Sequence, residues 1–539
     1  MATGSNVEVQ MFLFNKFAVV ALLVVSGFAQ GNALTGTVKD ESTNIPIVGA
    51  KVSLANQGVT VVTNSEGEFT LKYENSDSPS VIQVTERRYW QREIPSSLND
   101  SSPLNVRLQA KKQRLIITTD IGGVDPDDLQ SLLHALLLSN EYDLEGIIYG
   151  HAWVESSPER GRSRIEKAID AYGKVYENLT VHSTEYPTPN YLRSIVRAGQ
   201  AEPRMEGAGK GKDSEGSNLI VTLVENDDPR PVWINAWGGA NTIAQAFWKV
   251  NATRSKGDLD KFVSKVRVYD ILGQDDSGSW IAKTFPNVTY IRNADGVYGW
   301  APEKAWTAEH VQSHGPIGSL YPTSKWATEG DSPAFLHLAS RGLNNPNSLT
   351  QGGWGGRFGA QKTTGVKLFS WAEKTPEVYA HEQTLKPYAL YTNTAEGAAA
   401  IKKWQPDIDN SLAVRMDWSV TPNWTDANHF PVAILEGDKT RQILERSVTA
   451  GEEIILSADG SSDPDNDSLV FSWLYYNKAS TYDGAVDLQG HTTPAVKIKV
   501  PEDSFGKTIH IILAVRDSGA PTLAAYRRMI LKVKNPSPP

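Results

Sequence analysis

What most limits how this chain can fold is an alternation of short apolar strands with helical segments that begins at Leu115. Residues 115–118 read as an apolar strand that runs through an acidic loop into a helix, where Leu129, Leu132, Leu133, Leu136 and Leu137 recur at the spacing of one helix face. Residues 144–149 read as a second buried strand, followed by a helical segment at 162–176; residues 231–236 and 266–272 are further apolar strands, each followed by a helical stretch. Strands that are apolar along their length and separated by helices must be covered on both faces. The centre of the chain is therefore predicted to be an α/β domain with a mostly parallel sheet. In such sheets ligands bind at the carboxyl ends of the strands.

The flanks carry a different pattern. Between residues 34 and 110, period-two alternation is broken by turns: Thr35-Gly36-Thr37-Val38, Ala50-Lys51-Val52-Ser53-Leu54 and Val59-Thr60-Val61-Val62-Thr63, then Asn64-Ser65-Glu66-Gly67 and Phe69-Thr70-Leu71. From about residue 436 the chain is again all strands and turns, with an acidic turn at Asp463-Pro464-Asp465-Asn466-Asp467. That turn is open to two readings, a calcium loop of hard oxygen ligands or an Asx-rich hairpin. At 539 residues the chain is long enough for several cores. The expected division is a leader at 1–29, a β-sandwich at 34–110, the α/β domain at 113–425 and a second β domain at 436–535. The apolar run 17–25 after Lys16 fits the core of an export signal, so a secreted or periplasmic protein without a membrane anchor is expected. Cysteine is absent, which removes disulfides, zinc thiolate sites and thiol nucleophiles. A net charge of −9 argues against a nucleic-acid surface.

The chemistry concentrates at Thr118-Thr119-Asp120-Ile121-Gly122-Gly123-Val124-Asp125-Pro126-Asp127-Asp128, where four carboxylates follow a buried strand and precede a helix. Like charges packed together raise one another's pKa, and a divalent cation relieves the repulsion. Oxygen ligands alone point to calcium or magnesium. The alternative is that one Asp caps the helix and the others are solvated.

Several stretches together resemble the nucleoside hydrolases, and more closely their cellulose-binding, nucleoside-hydrolase-like branch. They are "TTDIGG", "PDD.QSL", "WGG.NT.AQA", "GQDDSG", "EGDSPAFL", "GGWGGR" and "RMDW", in that order from Arg114 to Trp418. The C-terminal β domain resembles the immunoglobulin- or PKD-like module of the same family. "TGTVKD", "IPIVGAKVSL" and "TNSEGEFTL" resemble a carboxypeptidase regulatory-like domain. The resemblance implies a nucleoside-hydrolase-like (Rossmann-like) sheet flanked by β-sandwiches. It implies calcium held by Asp120, Asp128, the Trp237 carbonyl and Asp331, with Asp120 also acting as base toward a bound water. Asp127 and Asp331 would hold sugar hydroxyls.

The sequence also departs from true nucleoside hydrolases. Thr118 stands where they carry an extra Asp, the gap between Asp120 and the Asp127-Asp128 pair is longer, and Gly330 replaces the His that helps a nucleobase leave. Of the fifteen tryptophans, all but Trp90 and Trp473 fall between Trp153 and Trp424, an abundance that suits sugar stacking. Trp153, after the second strand, is expected to face the pocket. Trp354 and Arg357, in a Gly-rich segment, are expected to close over a ligand. Asp275 and Asp276 are expected to contact it, with an Asx turn as the alternative. Arg415 and Asp417 are expected to pair. These readings favour a calcium-dependent hydrolase of glycosyl bonds acting on an oligo- or polysaccharide. A carbohydrate binder that keeps the fold without turnover is the alternative, and a true nucleoside hydrolase stands third.

Overall fold

The computed structural model describes residues 32–535 except 55, 75–79, 97–101, 151–156, 326–327, 360–367 and 369–373. The leader expected at 1–29 and Trp153 lie outside the described residues. Among the described residues, no helix is long and apolar enough to cross a membrane.

The first seven strands are β1 (Asn32–Asp40), β2 (Lys51–Leu54), β3 (Val59–Val62), β4 (Glu68–Tyr73), β5 (Ser80–Thr85), β6 (Arg92–Ser96) and β7 (Leu104–Leu108). They form two sheets, ordered β4-β1-β7 and β3-β2-β5-β6. Alternate residues such as Val38, Leu71, Val52 and Val84 point inward from both sheets and make one core.

The next seven strands are β8 (Arg114–Thr119), β9 (Asp143–Tyr149), β10 (Val196–Ala198), β11 (Val232–Ala236), β12 (Val266–Ile271), β13 (Thr289–Asn293) and β14 (Tyr391–Thr392). They pair in the order β10-β9-β8-β11-β12-β13-β14, every neighbour parallel. Every residue of β8, β11 and β12 is buried. Leu115 and Ile117 project into the core on one face, with Trp233 and Tyr269. Ile116 projects into the core on the other face, with Ile148, Ile234 and Val268. Both faces are thus covered by helices, as the uninterrupted apolar runs required.

The last seven strands are β15 (Leu444–Thr449), β16 (Glu453–Ser457), β17 (Val470–Tyr475), β18 (Leu488–Gln489), β19 (Ala495–Lys499), β20 (Thr508–Arg516) and β21 (Ala524–Lys534). They form a sandwich ordered β15-β21-β20-β17 and β16-β19-β18. The acidic turn at its edge has Asx-turn geometry: Asp463 Oδ1 accepts from the backbone N–H of Asp465 at 2.8 Å and of Asp467 at 3.1 Å. Tyr476, Ile512 and Tyr526 of this sandwich belong to the same buried cluster as Trp354, Trp404 and Leu412 of the α/β domain.

A charged knot sits at the same junction. Glu141, just before β9, pairs with Arg341, with Arg415 at 3.0 Å and with Arg441 at 2.7 Å. Burial would raise the Glu141 pKa, but the three guanidiniums together hold it below the usual carboxylate range. Removing the carboxylate leaves buried arginines facing one another. Glu141→Ala is expected to destabilise the protein by roughly 3–5 kcal/mol in denaturant unfolding, the range for breaking a buried ion pair. Glu141→Gln, which keeps the side-chain volume and one acceptor oxygen, is expected to lose less.

Candidate functional site

The strand order fixes where a cleft opens. From β8 the sheet grows through β9 to β10 on one side, and β11 and the later strands lie on the other. The chain therefore leaves the carboxyl ends of β8 and β11 in opposite directions, and a crevice forms between them. Asp120 directly follows β8, and Trp237-Gly238-Gly239 directly follows β11. A Cβ on Gly238 would stand 2.8 Å from the Asp120 carboxyl, and one on Gly239 would overlap Asp275 Oδ2. Two carboxylates press on consecutive residues of the turn, and only glycine leaves them room.

Asp127, Asp128 and Asp331 bring carboxylate oxygens within 4.8 Å of one another, and all three are buried. Asp127 and Asp128 open the helix Asp127–Leu137, and Asp331 is the N-cap residue of the short helix Ser332–Leu336. The two helix starts are joined by Ser332 Oγ, which donates to Ser131 Oγ at 3.0 Å. Thr119 Oγ1 donates to Asp128 Oδ1 at 2.5 Å. Asp331 Oδ2 is buried with no hydrogen-bond partner. Gly330 completes the packing, because a Cβ there would overlap Asp127 Oδ2.

Nearby basic side chains are engaged elsewhere. His134 Nδ1 meets Glu329 Oε2 at 2.5 Å, and His381 Nδ1 meets Asp276 Oδ2 at 2.5 Å. Arg164 donates to the carbonyls of Ile121 and Gly123. Burial raises the Asp120 pKa to about 7, with Asp125 adding to the rise. Burial, then the neighbouring carboxylates, raises Asp127, Asp128 and Asp331 well above the usual range, and Asp120 contributes to each. Oxygen-only donors, an orphaned buried oxygen and unbalanced negative charge fit a hard divalent cation. Beside Asp120, Thr118, Thr119, Gly239, Asn241 and Thr242 line a cavity of about 10 Å³, the room of one water.

The other expected residues are distributed unevenly. Asp127, expected on a sugar hydroxyl, stands within the carboxylate triad, whereas Asp120, expected as an ion ligand, falls outside that group and acts on Asp128 and Asp331 through its charge. The Trp237 carbonyl accepts the side-chain amide of Gln274. Asp275, against the Gly239 turn, accepts from the N–H of Ser277 at 3.0 Å and of Ala240 at 3.3 Å. Burial, followed by Asp276, raises its pKa to about 7. Asp276 is held by the Met205 N–H at 3.1 Å and by His381. Trp354 is a correction: it is fully buried and packs edge-on against Tyr526 of the C-terminal sandwich. The glycines around it permit close packing, since a Cβ on Gly353 would overlap Asn344 and one on Gly355 the Pro333 carbonyl. Arg357 pairs with Glu396 at 2.6 Å. Arg415 and Asp417 do not pair with each other; Arg415 binds Glu141, and Asp417 meets His314 at 2.9 Å.

One residue escaped the sequence reading. Tyr298 follows β13 and is 48% exposed. Its hydroxyl pKa is raised by partial burial and then by the charges of Asp127, Asp331 and Asp125, and the preceding Val297 packs beside Gly330 of the acidic site. Its only sequence signal is an aromatic among glycines, Gly296-Val297-Tyr298-Gly299, after the carboxyl end of a strand.

Residues 114–358 match the family described as "Cellulose-binding Sde182, nucleoside hydrolase-like domain". Residues 453–533 match "Cellulose-binding protein Sde0182, C-terminal domain", and residues 34–118 match "CarboxypepD_reg-like domain". A solved structure from Saccharophagus degradans, described as a nucleoside hydrolase-related hypothetical protein associated with carbohydrate metabolism, is 45% identical to this chain. The likeness covers 78% of this chain and 100% of that one, with a TM-score of 0.74. The effector protein XOO4466 is 9% identical over 57% of this chain and 94% of its own, at a TM-score of 0.34. No curated protein matches the chain.

The acid cluster makes the metal-free protein sensitive to pH in a definite direction. An unfolded Asp titrates near 3.8, whereas the Asp120 carboxyl in the folded state titrates near 7. Between those values the folded state holds protons that the unfolded chain has lost, so this contribution lowers stability as pH rises through the window. In EDTA, Asp128→Asn is expected to melt higher than the parent at about pH 8, with the difference vanishing near pH 4, as followed by thermal unfolding.

Proposed function

The chain belongs to the cellulose-binding, nucleoside-hydrolase-like family, and on that premise we propose that it is a saccharide-directed, calcium-dependent hydrolase of glycosyl bonds. The observation that carries this reading is the triad Asp127, Asp128 and Asp331, within 4.8 Å of one another and buried, with Asp120 beside it at the crevice between β8 and β11. Asp128 and Asp331 would hold the ion, with Asp120 contributing from the adjacent strand end. Bound there, calcium supplies the positive charge that offsets the carboxylates and acidifies a neighbouring water.

The chain's own groups account for the remaining roles. Asp120, once its proton is lost, accepts a proton from water in the small cavity that it lines with Thr118 and Thr119. Asp127 offers an oxygen to a sugar hydroxyl. The exposed ring of Tyr298 offers a face on which a pyranose can stack.

Nucleoside cleavage is the less supported chemistry. Position 330 has no side chain to assist a departing base, and Asp127 Oδ2 fills the space that a side chain there would need. The small cavity beside Asp120 favours a second reading, a saccharide binder that keeps the ion site without turnover.

Calorimetry with calcium tests the site, and reducing-sugar release from cello-oligosaccharides tests the reaction. Asp128→Asn and Asp331→Asn are each expected to weaken calcium binding roughly tenfold or more. Unchanged affinity in both would overturn the assignment. Asp120→Ala is expected to lower product formation by about a hundredfold or more while oligosaccharide binding persists. A parent protein that binds glycan and releases no product would leave the binder reading.

A further inference from the structure

An open cleft lies away from the acidic site. A cleft of about 400 Å³ opens where the three domains meet, within the size range of ligand pockets. Lys111 and Lys112, which line it, precede β8, and Glu141 precedes β9, so the cleft lies at the amino ends of the strands. Asp120 follows β8. The two openings therefore sit at opposite ends of one sheet.

Two features of the cleft point to the same kind of ligand. The first is an aromatic wall. Trp424 is 40% exposed, and its ring lies parallel to His429 with centroids 3.5 Å apart. His429 stacks in turn on His182 at 5.1 Å and is anchored by Asp465 at 2.9 Å. One face of Trp424 is thus fixed against a rigid stack, while the ring keeps open surface in the cleft. Trp90, from the N-terminal sandwich, lines the same cleft with the Lys111 ammonium 5.9 Å above its ring. Exposed indole faces on rigid supports suit the apolar faces of sugar rings.

The second feature is an excess of positive charge. Arg341, Arg415 and Arg441 share the single carboxylate of Glu141. Lys112 pairs with Glu185 at 2.9 Å, which leaves Lys111 to add to the surplus. Arg341, its side chain only 9% exposed, lines the cleft, and its Nε has no hydrogen-bond partner. Asn140, also lining the cleft, carries a buried Oδ1 without one. The acidic turn reaches the cleft only through Pro464, and its Asp465 is tied to His429. A neutral sugar would use the aromatic wall and leave the guanidinium end unmatched. A sugar carrying a carboxylate matches both, because a guanidinium presents paired donors to a carboxylate.

We propose that this interdomain cleft is a second ligand site that takes an acidic oligosaccharide, with a sugar ring on Trp424 and a uronate carboxylate at Arg341 and Arg441. The site is independent of the acidic pocket and of any catalysis there. It gives the N- and C-terminal domains a part in binding, since Trp90 and Arg441 come from outside the central sheet.

Calorimetry on the full chain with a linear oligogalacturonide and with a cello-oligosaccharide of equal length tests this. EDTA is present throughout so that no metal ion bridges the uronate to an aspartate. The acidic ligand is expected to bind roughly tenfold or more tighter than the neutral one, and its affinity is expected to fall as salt is raised. Trp424→Ala and Arg441→Ala, both at partly exposed positions, are each expected to weaken it roughly tenfold. Asp128→Asn, in the other pocket, is expected to leave it unchanged. Equal or tighter binding of the neutral ligand, no binding of either, or parent-like affinity in both cleft variants would overturn the proposal. So would loss of binding in Asp128→Asn alone.

Discussion

The arrangement of the central domain follows from one electrostatic problem, the burial of several carboxylates where β8 and β11 diverge. Coulomb repulsion between unscreened charges a few ångströms apart is severe away from water. Among the described residues no basic side chain pairs with it, since His134, His381 and Arg164 are all bonded to other groups. What the protein supplies instead is geometry. Two helices begin at the cluster, so the positive ends of their dipoles face it. Glycines at 238, 239 and 330 let the carboxylates approach the backbone without a methyl group in the way. Such a site costs stability in the absence of a counter-charge, and the scaffold tolerates it because the strands beneath are buried on both faces.

How much of this was legible in the sequence depends on whether the signal was local. The α/β domain was readable because every residue of β8, β11 and β12 is buried, and uninterrupted apolar runs between helices have few other uses. The site was readable in part because strand, acidic turn and helix are contiguous, and because Asp331 sits in a short Gly-Asp-Ser-Pro turn with its own helix start. The failures are cases in which the partner is distant in sequence. Glycines around Trp354 suggested a mobile loop, but they are there because Asn344, Pro333 and His337 pack against their α-carbons. Arg415 and Asp417 are two residues apart on a helix and so face different ways; each finds a partner from another segment, Glu141 and His314. Tyr298 was invisible because a single aromatic in a glycine-rich loop has no periodicity to betray its direction.

The departures from nucleoside hydrolases are coupled to one another through space. Gly330 could be taken as the loss of a base-assisting histidine and nothing more. Yet the α-carbon of Gly330 and the carboxylate of Asp127 share one small volume, so a side chain at 330 and the present position of Asp127 are incompatible. Asp127 in turn belongs to the triad because the helix starts after Pro126, itself in helical conformation, so that both Asp127 and Asp128 fall in the first helical turn. The inward Asp127 and the bare α-carbon at 330 are therefore one packing arrangement seen at two positions.

The two ends of the sheet divide the molecule's charge. Carboxylates gather at the carboxyl ends of the strands, and a surplus of guanidinium and ammonium groups gathers at the amino ends, where the flanking domains attach. Mild net charge conceals this separation, since −9 spread over 539 residues suggests no strong field anywhere. The C-terminal β domain is also built into this arrangement. Tyr476, Ile512 and Tyr526 are built into the main core, and Arg528 donates to the carbonyls of Gln351 and Gly352. A segment whose buried side chains are shared with its neighbour cannot swing freely relative to it, so the C-terminal side of the junction cleft is rigid. A rigid wall loses less conformational entropy on binding than a flexible linker would, and this favours a site at the junction over a surface formed only when a ligand arrives.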